Sequence, residues 1–333
     1  MLKTPLCDLL RIEYPILLAG MGLNIAGPEL TAAVSNAGGC GVLGSGGLPA
    51  EAMRAQLTAL RALTDKPFGV NIILPLLQPG QVEVTLEAKV PLVVFFWGDP
   101  APWIPSLHAA GIKVFLQVGS VEEGINAARA GVDGIIAQGI EAGGHVKAES
   151  SLSTIVPALA EALAPLPVIA SGGIANGRGI AAALALGAQG VSLGSRFLAT
   201  PEAQVGDAYK RKLVAARAED TVYTSLFDVG WENAAHRVLR NTETAEWAEA
   251  GGPASGMRPG EGSIIGQAEL FGTRVMFPRY AVTPPVTGFE GDLERTALYA
   301  GESVRLIKDI RPAAQVMADL VRETEDALHA VAR

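Results

Sequence analysis

A histidine closes a turn of small residues near the middle of the chain, at residues 138–145. The turn directly follows residues 132–137, whose apolar pattern is typical of a buried strand. Because α/β barrels keep their chemistry at the carboxyl ends of the strands, this order predicts that the His145 imidazole lies at such an end. The three glycines of the turn would let a flat ligand approach the backbone closely. The alternative interpretation is a structural histidine in a tight turn.

Two further turns with glycine follow consecutive predicted strands. Residues 171–177 follow the apolar run at 167–170, and residues 194–196 follow the run at 190–193. A simple turn needs one glycine, whereas a phosphate site needs two facing loops with unobstructed backbone N–H groups. The pair of turns therefore predicts the phosphate site that α/β barrels build after their last two strands.

Uncharged amide side chains end three other predicted strands, at Asn71, Gln117 and Gln138. Such amides can pair with the nitrogen and oxygen edges of a flavin pyrimidine, while capping of buried loops is the alternative for each of them. Met21 and Gly22 follow the first strand and are placed to lie against a ring face. The sequence has no cysteine, histidine and carboxylate cluster at metal-ligand spacing and no Ser–His–Asp motif, so we expect a cofactor to supply the reactivity and no metal.

Between residues 14 and 196, short apolar runs alternate with alanine-rich amphipathic segments, which predicts parallel strands joined by helices. The expected strands are 15–19, 41–44, 68–72, 92–96, 113–117, 132–137, 167–170 and 190–193. Eight such runs favour a closed TIM (β/α)8 barrel. An open doubly wound sheet is the alternative, but residues 20–25 lack the third glycine of its dinucleotide-binding motif.

The pattern changes beyond residue 200. We expect helices in 201–250 with a loop around 221–230, a Gly- and Pro-rich mobile loop at 251–266, and a helix over 311–327. The chain is thus divided into a barrel, 1–200, and a mainly helical C-terminal region, 201–333, that covers the site as a lid. A flexible linker is the alternative for the loop.

The composition excludes several classes of protein. Of 333 residues, 49% are hydrophobic and 18% charged, as in globular enzymes, and the net charge of −8 without a basic cluster argues against a nucleic-acid partner. Cys7 and Cys40 stand in no metal or disulfide pattern and are predicted to fill the core. His108, His236 and His329 are expected on helical or helix-flanking surface. Apolar runs are strand-sized and no signal-peptide core is visible, so we expect a cytoplasmic protein without a membrane role.

The motifs at 69–71, 141–145, 171–174 and 194–198 together resemble those of the nitronate monooxygenases, formerly called 2-nitropropane dioxygenases. These are FMN-dependent TIM-barrel enzymes, related to flavin-dependent enoyl-acyl-carrier-protein reductases and NADH:quinone reductases. Residues 299–304 and 309–314 are similar to the C-terminal segment of the family.

The resemblance implies that His145 is the catalytic residue and that the cofactor is FMN. The FMN contacts that it implies or that adjoin its motifs are Met21, Gly22, Asn71, Gln117, Gln138, Ala142, Gly143, Gly144, Ser171, Gly172, Gly173, Gly194 and Ser195. Of these, Gly172, Gly173, Gly194 and Ser195 would hold the phosphate. The chain departs from the family at Gln117, where many members have a basic or different polar residue, and at Val146 and Lys147, where Arg or Ile followed by Gly is more usual.

The resemblance also implies an activity, the oxidation of alkyl nitronates or nitroalkanes by FMN and O2 without a nicotinamide. His145 would remove the α-proton of a neutral nitroalkane or hold the bound anion. The alternative is an NAD(P)H-dependent FMN reductase acting on an enoyl thioester, a quinone or a CoA-linked substrate. A flavin- or phosphate-binding barrel without catalytic activity is a third interpretation. The residues do not indicate an oligomeric state.

Overall fold

The structure, a computed structural model, describes residues 2–331. Its strands are β1 (Ile16–Leu18), β2 (Gly41–Gly44), β3 (Phe68–Ile73), β4 (Leu92–Phe96), β5 (Lys113–Val118), β6 (Gly134–Gln138), β7 (Gly144–His145), β8 (Val168–Ser171), β9 (Gly190–Leu193), β10 (Thr221–Thr224), β11 (His236–Leu239), β12 (Ile264–Leu270), β13 (Thr273–Pro278) and β14 (Glu290–Gly291). The ends of the two proposed regions, Met1 and residues 332–333, lie outside the described residues.

Eight of these strands form one parallel sheet in the order β1-β9-β8-β6-β5-β4-β3-β2. A parallel bridge between Leu17 and Cys40 joins the first and last strands of this order, with the Leu18 N–H donating to Cys40 O at 2.9 Å. The sheet therefore closes into a barrel, and the TIM-barrel prediction is confirmed.

Helices cover the outside of the barrel and one of its ends. They are α1 (Pro5–Leu10), α2 (Pro28–Asn36), α3 (Ala50–Leu63), α4 (Gln81–Glu87), α5 (Ile104–Ala109), α6 (Val121–Ala130), α7 (Leu152–Leu163), α8 (Gly177–Ala185), α9 (Ser195–Leu198), α10 (Asp207–Ala215), α11 (Thr242–Glu249) and α12 (Ala313–Val331). Apolar residues of α1 pack in one buried cluster with inward-facing residues such as Val94 and Ile136. Cys7 and Cys40 belong to this cluster as buried free thiols, which confirms their predicted place.

The C-terminal region departs from the sequence-based expectation in two ways. The stretch 201–250, expected to be helical around a loop at 221–230, contains α10, α11 and a short 3-10 helix, Ala218–Asp220. It also contains two strands, because β10, in the expected loop, pairs antiparallel with β11, and β11 also pairs with β7. The β-branched residues of β10 and β11 suit such pairing. In addition, α12 does not cover the barrel mouth. It packs against α8 and α2 on the outer ring of helices.

The expected mobile loop at 251–266 is shorter than predicted, because β12 begins at Ile264. Residues 251–263 contain no helix or strand. The strand continues into a hairpin with β13, and β14 pairs on its other side. No helix within residues 2–331 is long and apolar enough to cross a membrane.

Candidate functional site

A cavity of about 410 Å³ opens at the carboxyl ends of the barrel strands. All the site residues expected from the sequence line it: Met21, Gly22, Asn71, Gln117, Gln138, Ala142, Gly143, Gly144, His145, Ser171, Gly172, Gly173, Gly194 and Ser195. They meet because each follows, or ends, a strand of one parallel barrel, so that residues far apart in sequence share one rim.

The turn after β6 is braced by the Gln138 side chain. Its Nε2 donates to His145 O at 2.8 Å and its Oε1 accepts from the Lys147 N–H at 3.0 Å. Both ends of the amide thus bond to the backbone of the turn, as the loop-capping interpretation expected. The bracing places the short strand β7, and therefore His145, against β11.

Two glycines let the C-terminal segment approach this turn. A Cβ at Gly143 would fall well inside contact distance of Gly301 N, and a Cβ at Gly301 would lie 2.8 Å from Gly143 N. The Gly301 N–H also donates to Ser195 Oγ at 3.0 Å. The segment therefore ties the histidine turn to the predicted phosphate loops.

The two predicted phosphate loops differ in what they require of their glycines. Gly172 and Gly173 adopt φ values of 115° and 68°, which strongly favour glycine. Gly194, in contrast, has a φ of −103°, and a Cβ there would only reach ordinary contact with Ala19 at 3.7 Å. The predicted phosphate site therefore requires glycine more strictly in the first loop, at Gly172 and Gly173, than in the second, at Gly194.

Asn71 is an unusual polar residue of the cavity. Its Nδ2 donates to Val94 O at 3.1 Å, while its Oδ1 is buried and finds no hydrogen-bond partner in the described part of the chain. A buried acceptor of this kind lowers stability unless a ligand satisfies it. A flavin ring carries an N–H group that can do so, and the residues present therefore fit a flavin.

His145 lies in a cluster of aromatic rings. Its ring stacks on Trp231 with centroids 4.2 Å apart, and Tyr299 and His236 lie at 5.3 and 5.5 Å. Nε2 is buried and has no hydrogen-bond partner among residues 2–331. Burial, with a smaller effect of His236, lowers the pKa of His145 to about 3. The imidazole is therefore neutral at physiological pH, with one N–H donor and one acceptor.

These features place the chain in a known family. A sequence profile of the nitronate monooxygenases matches residues 3–81 and 77–323. The chain belongs to the nitronate monooxygenase family. It is accordingly an oxidoreductase, and members of this family are flavoproteins.

Individual members and relatives differ in their named activities. A (3aS,4S,5R,7aS)-5-hydroxy-7a-methyl-1-oxo-octahydro-1H-indene-4-carboxyl-CoA dehydrogenase of Mycobacterium tuberculosis is 40% identical over 77% of this chain and 71% of its own. A nitronate monooxygenase of Paraburkholderia phytofirmans is 32% identical over 98% of this chain and 96% of its own. The structure of FabK from Thermotoga maritima is 38% identical, with a TM-score of 0.83 over 99% of each chain. Membership of the nitronate monooxygenase family thus leaves the substrate open.

His236 is a part of this site that the sequence-based prediction placed wrongly on the surface. It is fully buried on β11, where Nδ1 donates to Ala234 O at 2.8 Å and Nε2 accepts from the Phe227 N–H at 3.2 Å. Burial lowers its pKa to about 4. No local motif marked it, because only strand pairing brings it beside His145.

The remaining wall of the cavity comes from beyond residue 200. Val229, Trp231, residues 282–284 and Tyr299 line it, and the prediction from sequence missed all of them except Tyr299, which lies in a family-like segment. Within the described part of the chain, every residue that lines the cavity is uncharged once His145 is neutral. Residues 2–331 contain no group of histidines, cysteines and carboxylates that could hold a metal ion.

Proposed function

We propose that this protein binds FMN in the cavity and oxidises alkyl nitronates with O2. The observation that carries the proposal is the neutral, buried His145 imidazole at the carboxyl end of the barrel, in a cavity that residues 2–331 line with uncharged side chains. Membership of the nitronate monooxygenase family supports the same activity.

The cofactor residues follow from the fit of the cavity. Gly172 and Gly173, with Gly194 and Ser195, would hold the phosphate through backbone N–H groups, which the predicted site needs because none of the described residues that line the cavity is a cation. Asn71 would accept a hydrogen bond from the ring. Bound FMN would supply the electron acceptor for the substrate and would be reoxidised by O2.

The low pKa of His145 favours one of its two expected roles. An imidazole whose conjugate acid has a pKa of about 3 is a weak base, so it is poorly suited to remove the α-proton of a neutral nitroalkane. Its N–H group can still donate a hydrogen bond to an oxygen of a bound nitronate. We therefore assign His145 to holding and orienting the anion, and we expect preformed nitronates to be better substrates than neutral nitroalkanes.

The apolar walls have a second effect on such a substrate. A nitronate that enters this cavity leaves bulk water and is held by dipoles rather than by a counter-ion. Desolvation raises the free energy of a localised negative charge. The bound anion would therefore donate electrons more readily than it does in water.

Anaerobic stopped-flow absorbance tests the proposal. The FMN-loaded protein is mixed with propionate 3-nitronate and, separately, with NADH and NADPH. We expect fast flavin bleaching by the nitronate and a slow response to both nicotinamides. Fast bleaching by a nicotinamide and none by the nitronate would overturn the proposal.

The second candidate function is an NAD(P)H-dependent reductase of a CoA-linked or enoyl thioester. The specific observation that favours it is the 40% identity with an enzyme named as a carboxyl-CoA dehydrogenase. An uncharged cavity also suits a neutral thioester. In the same experiment, bleaching by NADH or NADPH followed by reoxidation with crotonyl-CoA would support this function.

A further inference from the structure

Arg258 is a buried cation outside the cavity. It lies in the loop at 251–263, and its side chain is only 2% exposed. Nε donates to Glu261 Oε1 at 3.1 Å, Nη2 donates to Ser255 Oγ at 2.9 Å, and the guanidinium lies 4.4 Å from the centre of the Tyr280 ring. These contacts make Arg258 the centre around which the loop folds.

The same guanidinium also binds the segment that carries the cavity wall. Nη1 donates to Leu226 O and to Asp228 Oδ1, both at 2.7 Å. Asp228 O in turn accepts from the Trp231 N–H at 2.9 Å, which closes a turn between the two residues. Arg258 therefore fixes Asp228, the first residue of a four-residue turn. Trp231, whose indole stacks on the His145 ring, is the last residue of that turn.

A second connection runs through Tyr280. Its hydroxyl donates to Pro259 O at 2.8 Å, and its carbonyl accepts from the Val229 N–H at 3.0 Å. Both the loop and the cavity segment are thus held by one tyrosine over which Arg258 is stacked. Loosening the guanidinium would release contacts on both sides.

We propose that Arg258 is a positioning residue that holds Trp231 on the His145 ring. The loop at 251–263 does not line the cavity, yet by this route it determines how well the imidazole is covered. The inference rests on the proposed function only where it concerns the effect of Arg258 on turnover. Its structural content, the coupling of Arg258 to the Trp231–His145 stack, holds for any reaction at this site.

The stack is what keeps water from the imidazole on one face. The titratable groups packed against His145 are His236, from β11, and Tyr299, from the C-terminal segment. Lys147, two residues along the chain, pairs with Glu123 instead. Asp228, which pairs with Arg258, raises the pKa of His236, so Arg258→Met would change the local charge as well as the cover of the His145 ring. Arg258→Lys keeps the positive charge and therefore separates the two effects.

The test is a histidine NMR titration of the full-length, FMN-loaded protein and its Arg258→Met variant. The His145 signal is assigned by its loss in His145→Gln. In the variant we expect the pKa of His145 to rise from about 3 by at least about one unit, a tenfold change in proton affinity, because water reaches a ring that Trp231 no longer covers.

Arg279→Met is the matched control. Arg279 is also a buried arginine beside the Tyr280 ring, at 5.3 Å, but it pairs with Glu243 and Glu246 of α11 rather than with the cavity segment. This variant should lose stability and leave the pKa of His145 unchanged. In Arg258→Lys the pKa of His145 should lie between its values in the wild type and in Arg258→Met. The lysine ammonium can keep the contact with Asp228 but cannot make the several hydrogen bonds of the guanidinium.

A second variant decides the matter if Arg258→Met does not fold. Arg258→Lys keeps the positive charge beside Asp228 but cannot make all the hydrogen bonds of the guanidinium to Leu226, Ser255 and Glu261. It should raise the pKa of His145 in the same direction, by less than Arg258→Met. A pKa of His145 that stays at its wild-type value in folded Arg258→Met or, where that variant does not fold, in folded Arg258→Lys protein would overturn the inference, whatever the stopped-flow result with nitronate.

Discussion

The His145 and Trp231 rings stack with centroids 4.2 Å apart and planes inclined by 24°. One ring comes from the turn after a barrel strand and the other from a loop of the C-terminal region, 86 positions later in the chain. The contact buries the imidazole and thereby holds it neutral. The environment of His145, the proposed substrate-holding residue, is thus made by both the barrel and the C-terminal region.

The first prediction concerns the pH dependence of turnover. Because His145 is protonated only near pH 3, kcat/KM for a preformed nitronate should show no inflection near pH 6.5, the ordinary value for histidine. Initial rates taken before solvent reprotonates the nitronate measure this. A clear loss of activity with an apparent pKa near 6.5 would contradict the neutral, buried state of the ring.

The second prediction concerns Trp231 itself. Trp231→Leu removes the aromatic cover, so water should reach the His145 ring and an inflection should appear in the same pH profile, closer to pH 6.5. Trp231→Phe keeps an aromatic face and serves as the matched control, with the profile expected to stay flat. Identical profiles for the two variants would show that the stacked ring does not control the imidazole.

The third prediction is a loss of stability in mild acid. The pKa values of His145 and His236, about 3 and about 4 when folded, lie below their unfolded value of 6.5, so folding favours the neutral rings. Their contribution is complete above pH 6.5 and is lost as the pH falls from 6.5 towards 4. Each contributes a slope of up to about 1.4 kcal/mol per pH unit in this window.

Urea unfolding at several pH values measures that slope. In His145→Leu the free energy of unfolding should change less steeply with pH between about pH 4 and pH 6.5, because only His236 of the two histidines remains. A free energy of unfolding that does not change between these pH values in the wild-type protein would mean that the two histidines are not buried as neutral rings.

The fourth prediction addresses the cofactor contact of Asn71. Asn71→Leu removes the unpartnered acceptor, so FMN should bind about tenfold more weakly, corresponding to roughly 1.4 kcal/mol. Titration of FMN fluorescence measures the change. Asn36→Leu, on an exposed residue at the end of α2 that does not line the cavity, should bind FMN as the wild type does.

The fifth prediction concerns the close approach of Gly143 to Gly301. Gly143→Ala would force the two backbone segments apart, lowering stability by about 1–3 kcal/mol and weakening FMN binding. Gly206→Ala is the control, because a Cβ there meets nothing within 4 Å and the backbone φ of −65° suits alanine. Equal melting temperatures for the two variants would show that the contact is not tight.

Local patterns were sufficient to predict the barrel and its rim. The barrel strands are short, mainly apolar runs that alternate with helices in sequence, and Leu92–Phe96 is buried along its whole length. Because parallel strands of one barrel point the same way, the residue that follows each strand was known to lie on the same rim. Asn71, Gly172 and His145 could be brought together from that rule alone.

The C-terminal region could not be predicted in the same way. Residues 221–224 and 236–239 are too short to be distinguished from helical or loop segments by periodicity, and they become strands because they pair with each other and with β7. The same pairing moves His236 from an expected surface position into the core. Trp231 and Arg258 had no motif at all, since their roles come from contacts across long intervals of sequence.

The amino-acid sequence by itself determined the family, the barrel and the cavity-lining residues of the barrel rim, because strand order and glycine position are local properties. Tertiary structure alone decided the chemistry available to His145. A histidine in a polar turn would titrate near pH 6.5, but Trp231, His236 and Tyr299 surround this ring and lower its pKa. The physical reason is desolvation, which depends on everything that packs around a group and therefore cannot be read from its neighbours in sequence.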